Sequence, residues 1–157
     1  MDDVGSLREL WLQLHHHHQE IGPQSGTFTD DETSWKVRAS NYRGWLADEG
    51  SFVLLARDGD ELVGYALVAV TTGSDEDRDA WVVPDRVAEI ETMVVSDGRR
   101  GEGIGQRLLD EVDAELERIG VTELVVGLIP GNDGAQRLYE RHGFKQRWLK
   151  LVKTAPG

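Results

Sequence analysis

The chain has 157 residues, 39% of them hydrophobic, a formal net charge of −12 and no cysteine. That length and apolar share suit one domain spanning residues 1–157 with a sizeable core, and they exclude a disordered segment. The missing cysteines exclude disulfides, thiolate metal sites and a cysteine nucleophile, and the charge speaks against nucleic acid, whose phosphates need a basic face.

The acidic start, MDDVGSLREL, lacks the basic region of a secretory signal. No apolar run is long enough to span a bilayer. A cytoplasmic protein with no membrane partner is the expectation. The charge suits a cationic small molecule or amine, or serves solubility alone.

Along the chain, Leu7, Leu10, Trp11, Leu14, His18 and Ile21 recur at helical spacing, so a helix is predicted over about residues 6–20. The run His15, His16, His17 and His18 sits at its end. On a helix only His15 and His18 share a face, so a full metal site is not offered and none is expected. Gly22 to Thr29 reads as a loop. Asp30 or Asp31 caps a second helix to about Glu49, with Trp35, Tyr42, Trp45 and Leu46 as its apolar contacts.

Phe52 to Arg57 and Glu61 to Val70 read as a β-hairpin turning at Asp58-Gly59. The acidic stretch TTGSDEDRD is a loop, and Arg86 to Val95 is a further strand. A long helix follows, with Ile104, Leu108, Leu109, Val112, Leu116 and Ile119 on one face and Gly120 as its stop. Thr122 to Leu128 is a short, buried, parallel-type strand. Asn132 or Asp133 caps a helix through Tyr139 that ends at Gly143, and Phe144 to Val152 is a last strand. The order α-α-β-β-β-α-β-α-β predicts an α/β fold on a mixed sheet, with no internal repeat and no linker.

The segment VSDGRRGEGIG, Val95 to Gly105, joins a strand to a helix through alternating glycines beside two arginines. Glycines let the backbone approach a ligand, and the first amides of the helix point outward at the positive end of its dipole. The pattern is that of a phosphate cradle. Its spacing is neither a P-loop, since no Gly-Lys-Ser/Thr occurs, nor the dinucleotide fingerprint, since Gly101, Gly103 and Gly105 form G-x-G-x-G.

This stretch resembles the acyl-CoA-binding motif of the GNAT N-acetyltransferase superfamily, R/Q-x-x-G-x-G/A, with Arg100, Gly103 and Gly105 in register. A second stretch is similar to the family's other signature: Asn132, Ala135, Leu138-Tyr139-Glu140 and Gly143-Phe144. The two lie in the family's order with one strand between them. The resemblance covers about residues 50–152 clearly and the first two helices more loosely. It implies a three-layer α/β/α fold with a central mixed, strongly twisted sheet and splayed parallel strands at the coenzyme A site.

The resemblance further implies that backbone amides of Arg100, Gly101, Glu102, Gly103, Ile104 and Gly105 hold the pyrophosphate of acetyl-CoA. Met93, Val94 and Val95 would line the pantetheine arm, one of their amides polarising the thioester carbonyl. Asn132 matches a position that contacts that arm, and it also fits a plain N-cap. Tyr139 matches the usual general acid, which protonates the leaving thiolate; a tyrosine there also fits simple core packing.

Glu89 and Glu91 are the candidate general bases, Glu89 preferred, and strand alternation puts them on one face with Met93 and Val95. Carboxylates on a central strand are costly unless they face a cleft, water or a partner, and desolvation suits them to base chemistry. A structural pairing of the two with nearby helices fits the same pattern.

Two departures concern the acceptor. MDDVGS leaves almost no room for the family's first strand, so that edge is missing or the start is cut short. The short tail after Phe144 leaves the acceptor site open or completed by a second subunit, as in a homodimer. One of the histidines at the end of the first helix is placed to line that site. The function expected is direct acetyl transfer from acetyl-CoA to a primary amine, small molecule or peptide, in a ternary complex needing no metal. A non-catalytic acyl-CoA sensor is the alternative, and Tyr139, Glu89 and Glu91 argue against it.

Overall fold

The computed structural model describes residues 3–21, 26–75 and 77–156. Residues 22–25, the first half of the expected Gly22–Thr29 loop, Glu76 of the acidic loop and the first two residues of MDDVGS lie outside them. A short 3-10 turn at Asp3–Leu7 leads into α1 (Arg8–Glu20), followed by α2 (Asp31–Leu46), β1 (Phe52–Asp58), β2 (Glu61–Thr72) and β3 (Arg86–Val95). After the glycine loop come α3 (Ile104–Ile119), β4 (Leu124–Val126) and α4 (Asp133–Arg141). Among the described residues no helix is long and apolar enough to cross a membrane.

The caps lie where the side-chain chemistry predicts. The Asp30 carboxylate accepts from the Thr33 amide at 2.9 Å and starts α2. α2 stops at Leu46, short of Glu49, when Ala47 and Asp48 turn back onto Gly44 and Trp45 carbonyls. Gly120, with φ 71°, closes α3 in the left-handed conformation that only glycine adopts cheaply.

The sheet has four strands in the order β1-β2-β3-β4. β1, β2 and β3 are antiparallel neighbours, and β4 runs parallel to β3, so the sheet is mixed. One face carries Ala66, Val68, Ala88 and Ile90 against Leu108, Leu109, Val112 and Leu116 of α3 and Tyr139 of α4. The other carries Tyr65, Leu67 and Val94 against Leu7, Leu10, Ala39 and Tyr42 from the α1 and α2 side. The result is the three-layer α/β/α arrangement, with each buried large aliphatic side chain contributing about 1.5–3 kcal/mol.

The last strand is not formed. Phe144 to Val152 follows α4 without any ladder, and the expected strand at Thr122–Leu128 shrinks to Leu124–Val126. The tail's apolar residues fall on both parities, Trp148 with Leu149 and Leu151 with Val152, so no strand register buries them all. All of them stay exposed. Side chains hold the tail instead: Arg147 pairs with Glu123 at 2.8 Å, and Trp148 meets the edge of Trp81 with ring centroids 6.0 Å apart.

The register also corrects the expected alternation of β3. Leu67 faces Thr92 and Val68 faces Ile90, so Glu91 is an extra residue in a β-bulge. Before the bulge Ala88 and Ile90 point to the α3 face; after it Met93 and Val95 do. Glu89, opposite Ala69, therefore points the other way, toward α1 and α2. The carboxylates and Met93 with Val95 do not share a face.

A buried hydroxyl chain fastens α2 to the bulge. The Tyr65 hydroxyl donates to Tyr42 at 2.9 Å, Tyr42 donates to Thr92 Oγ1 at 2.6 Å, and Thr92 donates to the Glu91 carbonyl at 2.8 Å. Both tyrosines are completely buried. Tyr42→Phe keeps the ring but strands the Tyr65 donor and the Thr92 acceptor. It is expected to lower unfolding free energy by about 1–3 kcal/mol, read as a lower urea midpoint; an unchanged midpoint would show that the chain does not carry the contact.

Candidate active site

β3 and β4 pair only from Ala88–Leu124 to Ile90–Val126. β3 continues to Val95 with its β4-side edge open. The Ser96 amide bonds the Val63 carbonyl on β2 at 2.8 Å. By alternation the amides of Met93 and Val95 point the opposite way, into that opening. Val94 keeps its side chain in the core on the α1 and α2 side. From the bulge onward the edge of β3 on the β4 side is therefore unpaired.

The glycine loop sits at the end of this open edge. Gly101 and Gly103 have φ of 81° and 79°, and Gly103 is the N-cap of α3 without any side chain to satisfy its first amides. Ile104 is buried, so it offers the opening only its backbone. A Cβ on Gly105 would lie 3.0 Å from Leu138 Cδ2, so this glycine lets α4 close against α3.

The arginines are tied down: Arg99 pairs with Glu102 at 2.6 Å and Asp58 at 3.0 Å, and Arg100 pairs with Asp97 at 2.9 Å. The cradle is therefore made of backbone amides and a helix N-terminus. These left-handed glycines, uncapped amides and open strand edge suit a phosphate with an extended arm.

Asn132 caps α4, accepting from the Ala135 amide at 3.4 Å. Tyr139, on α4, is buried among the residues facing α3, edge-on to Phe144 at 5.3 Å. Its hydroxyl bonds no described residue, and no fully buried side-chain oxygen among them lacks a partner, so the hydroxyl reaches open space. Burial pushes its pKa well above the usual 10 and keeps it protonated. His142 holds the end of α4 on α3: its Nε2 meets Asp113 at 2.7 Å, and Gln106 donates to its Nδ1 at 2.8 Å.

Glu89 and Glu91 lie across the sheet from Tyr139. Burial raises the pKa of Glu89. Glu91 is pushed up to about 7 by burial first and the Glu89 charge second, against the pull of Arg38. That value suits a group that accepts a proton near neutrality.

Sequence reasoning missed the α2 side of this cleft. Arg38 Cζ lies 4.1 Å above the Trp11 ring and 5.8 Å from those of Tyr42 and Trp45. The signal was a charge placed between Ser34 and Tyr42 on an aromatic stripe. His18 adjoins it, held neutral at a pKa of about 4 by burial and then by His17, His15 and Arg38. His15 bonds the Thr29 carbonyl and His16 bonds Asp31, each at 2.9 Å, so these two tie α1 to the start of α2. A separate cavity of about 500 Å³ opens between β1 and α3 beside Leu54, Arg57 and Arg107, and shares only Ile104 with the expected site.

Residues 11–144 match the family model of the Acetyltransferase (GNAT) family. A mycothiol acetyltransferase from Geodermatophilus obscurus is 29% identical over 140 residues, covering 89% of this chain and 42% of that protein. The chain thus spans about two fifths of that curated relative's length.

Among solved structures, a single-site mutant of BH1408 protein from Bacillus halodurans superposes with a TM-score of 0.74 at 19% identity, over 98% of this chain and 94% of that one. A predicted acetyltransferase with acetyl-CoA from Clostridium acetobutylicum gives 0.69 at 16% identity, over 96% and 90%. These share the fold.

The charges around Glu91 fix the sign of its response. Its carboxyl carbon is expected to titrate near pH 7 by NMR. Glu89→Gln removes a like charge and lowers the midpoint; Arg38→Ala removes an opposite charge and raises it. A midpoint in the ordinary carboxylate range, or shifts of the opposite sign, would remove Glu91 from the cleft.

Proposed function

This chain belongs to the acetyltransferase (GNAT) family, and on that footing we propose that it moves an acetyl group from acetyl-CoA to a primary amine by direct attack in a ternary complex. The observation that carries this reading is the open edge of β3, with Tyr139 on one side of the sheet and Glu91 on the other. The relative from Geodermatophilus obscurus supports acetyl transfer by its name; the part of it matched here is too small to lend its acceptor.

Each group then has one task. The amides from Arg100 to Gly105 hold the pyrophosphate, and those of Met93 and Val95 receive the pantetheine arm. Asn132 keeps its capping bond and turns its remaining side-chain donors toward the arm. Bound acetyl-CoA supplies an activated thioester.

Glu91 takes a proton from the ammonium group of the acceptor, and Glu89 keeps Glu91 basic enough to do so. The freed nitrogen attacks the thioester carbon; as the carbon–sulfur bond breaks, Tyr139 gives its hydroxyl proton to the departing sulfur, the nitrogen's second proton returns to the tyrosinate by way of solvent, and Glu91 releases the first proton to solvent. The apolar surroundings that raise the pKa of Tyr139 also raise that of a thiol beside it, so the transfer is not opposed by burial alone. With no cysteine in the chain, no acyl-cysteine route competes.

Tyr139→Phe is expected to lower kcat on the order of 10- to 1000-fold with little change in acetyl-CoA affinity, measured by CoA release after a burst experiment shows that chemistry limits turnover. An unchanged kcat under that condition would refute the acid. Gly103→Val places a β-branched residue at φ 79° and is expected to weaken acetyl-CoA binding roughly tenfold or more. Calorimetry measures the binding and circular dichroism verifies the helices; retained affinity would contradict the cradle.

A further inference from the structure

We propose that Arg38 anchors a carboxylate on the acceptor, which makes that acceptor an amino acid or a small amino-carboxylate of the same form. The proposal rests on the acetyltransferase reading and narrows it.

Arg38 lies on the inward face of α2, in line with Ser34 and Tyr42, where a charge is costly unless it has work to do. Its guanidinium carbon lies 4.1 Å over the Trp11 ring, whose own Nε1–H donates to Ser34 Oγ at 3.0 Å. A cation–π contact uses no N–H donor, so the donors of the guanidinium stay available. The N–H edge they form matches a carboxylate with two parallel hydrogen bonds.

The edge has no taker. Arg8, Arg78, Arg99, Arg100, Arg118 and Arg147 each meet a carboxylate within 4 Å. The arginines besides Arg38 whose side chains have no partner among the described residues, namely Arg107, Arg137 and Arg141, are exposed, whereas Arg38 is half-buried. Arg38 has neither an ion pair nor a hydrogen bond to any described residue, in a chain with a net charge of −12. Its nitrogens are not sealed in the core either, since no fully buried side-chain nitrogen among the described residues lacks a partner.

Glu91 is the carboxylate that feels Arg38, yet the two form no ion pair. Opposite charges that sense each other without pairing are complementary to a zwitterion: the ammonium goes to Glu91 and the carboxylate to Arg38. His18 beside them is neutral and adds no second positive charge. A polyamine, which the net charge of the chain suggests, would bring its second ammonium against Arg38.

The test compares the twenty common amino acids with their carboxamides and with spermidine, by CoA release and by calorimetric binding in the presence of CoA. Wild-type protein is expected to favour at least one amino acid over its carboxamide by roughly 10-fold or more in kcat/KM, and to bind it more tightly by a similar factor. Arg38→Ala is expected to collapse that ratio whatever it does to the common rate, with Arg38→Lys restoring part of it.

Arg38→Gln, which keeps a planar head over Trp11 without charge, gives the same reading if the alanine variant does not fold. Carboxamides or spermidine preferred by wild type, or a ratio unmoved by Arg38→Gln, would overturn the anchor. CoA release with any amine upholds the transferase reading separately. If no amine is acetylated, that reading fails, and the calorimetric ratio still decides on Arg38.

Discussion

Glu91 has no partner on β2. Leu67 is opposite Thr92, Val68 is opposite Ile90, and the residue between them is extra. That one insertion re-aims β3. Its ladder to β4 ends at Ile90, its amides beyond face an open edge, and Glu91 is turned toward α2 and away from α3. The glycine loop can only reach the end of this edge because β3 runs on for the rest of its length unpaired on that side. Tyr139 and Glu91 lie on opposite faces of the sheet, and the unpaired edge of β3 lies between those faces.

Much of this was legible in the sequence. The β3 boundaries, the α3 stripe, the caps at Asp30 and Asn132 and the Gly120 stop all follow from local rules, and each is satisfied within a few residues. The bulge was not legible, because alternation of Glu89, Glu91 and Met93 reads as an unbroken strand and an extra residue leaves no mark on a period of two. The last strand failed for the opposite reason. FKQRWLKLV has strand-like composition, but pairing needs a partner edge, and β4 offers a ladder only from Leu124 to Val126.

At the site, the glycine loop was legible because left-handed turns demand glycine, and Tyr139 was legible only through its neighbours Leu138, Gly143 and Phe144. The arginines of the loop show the limit of reading charge from composition. Arg99 and Arg100 look like phosphate ligands in sequence and are held by Asp58, Glu102 and Asp97 in space. Arg38, which no motif marks, is half-buried over the Trp11 ring and has no ion pair to a described residue. The net charge describes the surface, and these local pairings describe the site.

The hydroxyl chain beneath the bulge has a further consequence. Tyr65, Tyr42 and Thr92 donate in one direction, because the Glu91 carbonyl at the end can only accept. The peptide plane that carries the bulge is thereby held in one orientation by the hydroxyl chain. Its members are also groups that do not ionise where Glu91 does, since burial raises both tyrosines above their ordinary range. The hydroxyl chain beneath Glu91 therefore keeps its protons across the range in which the carboxylate ionises.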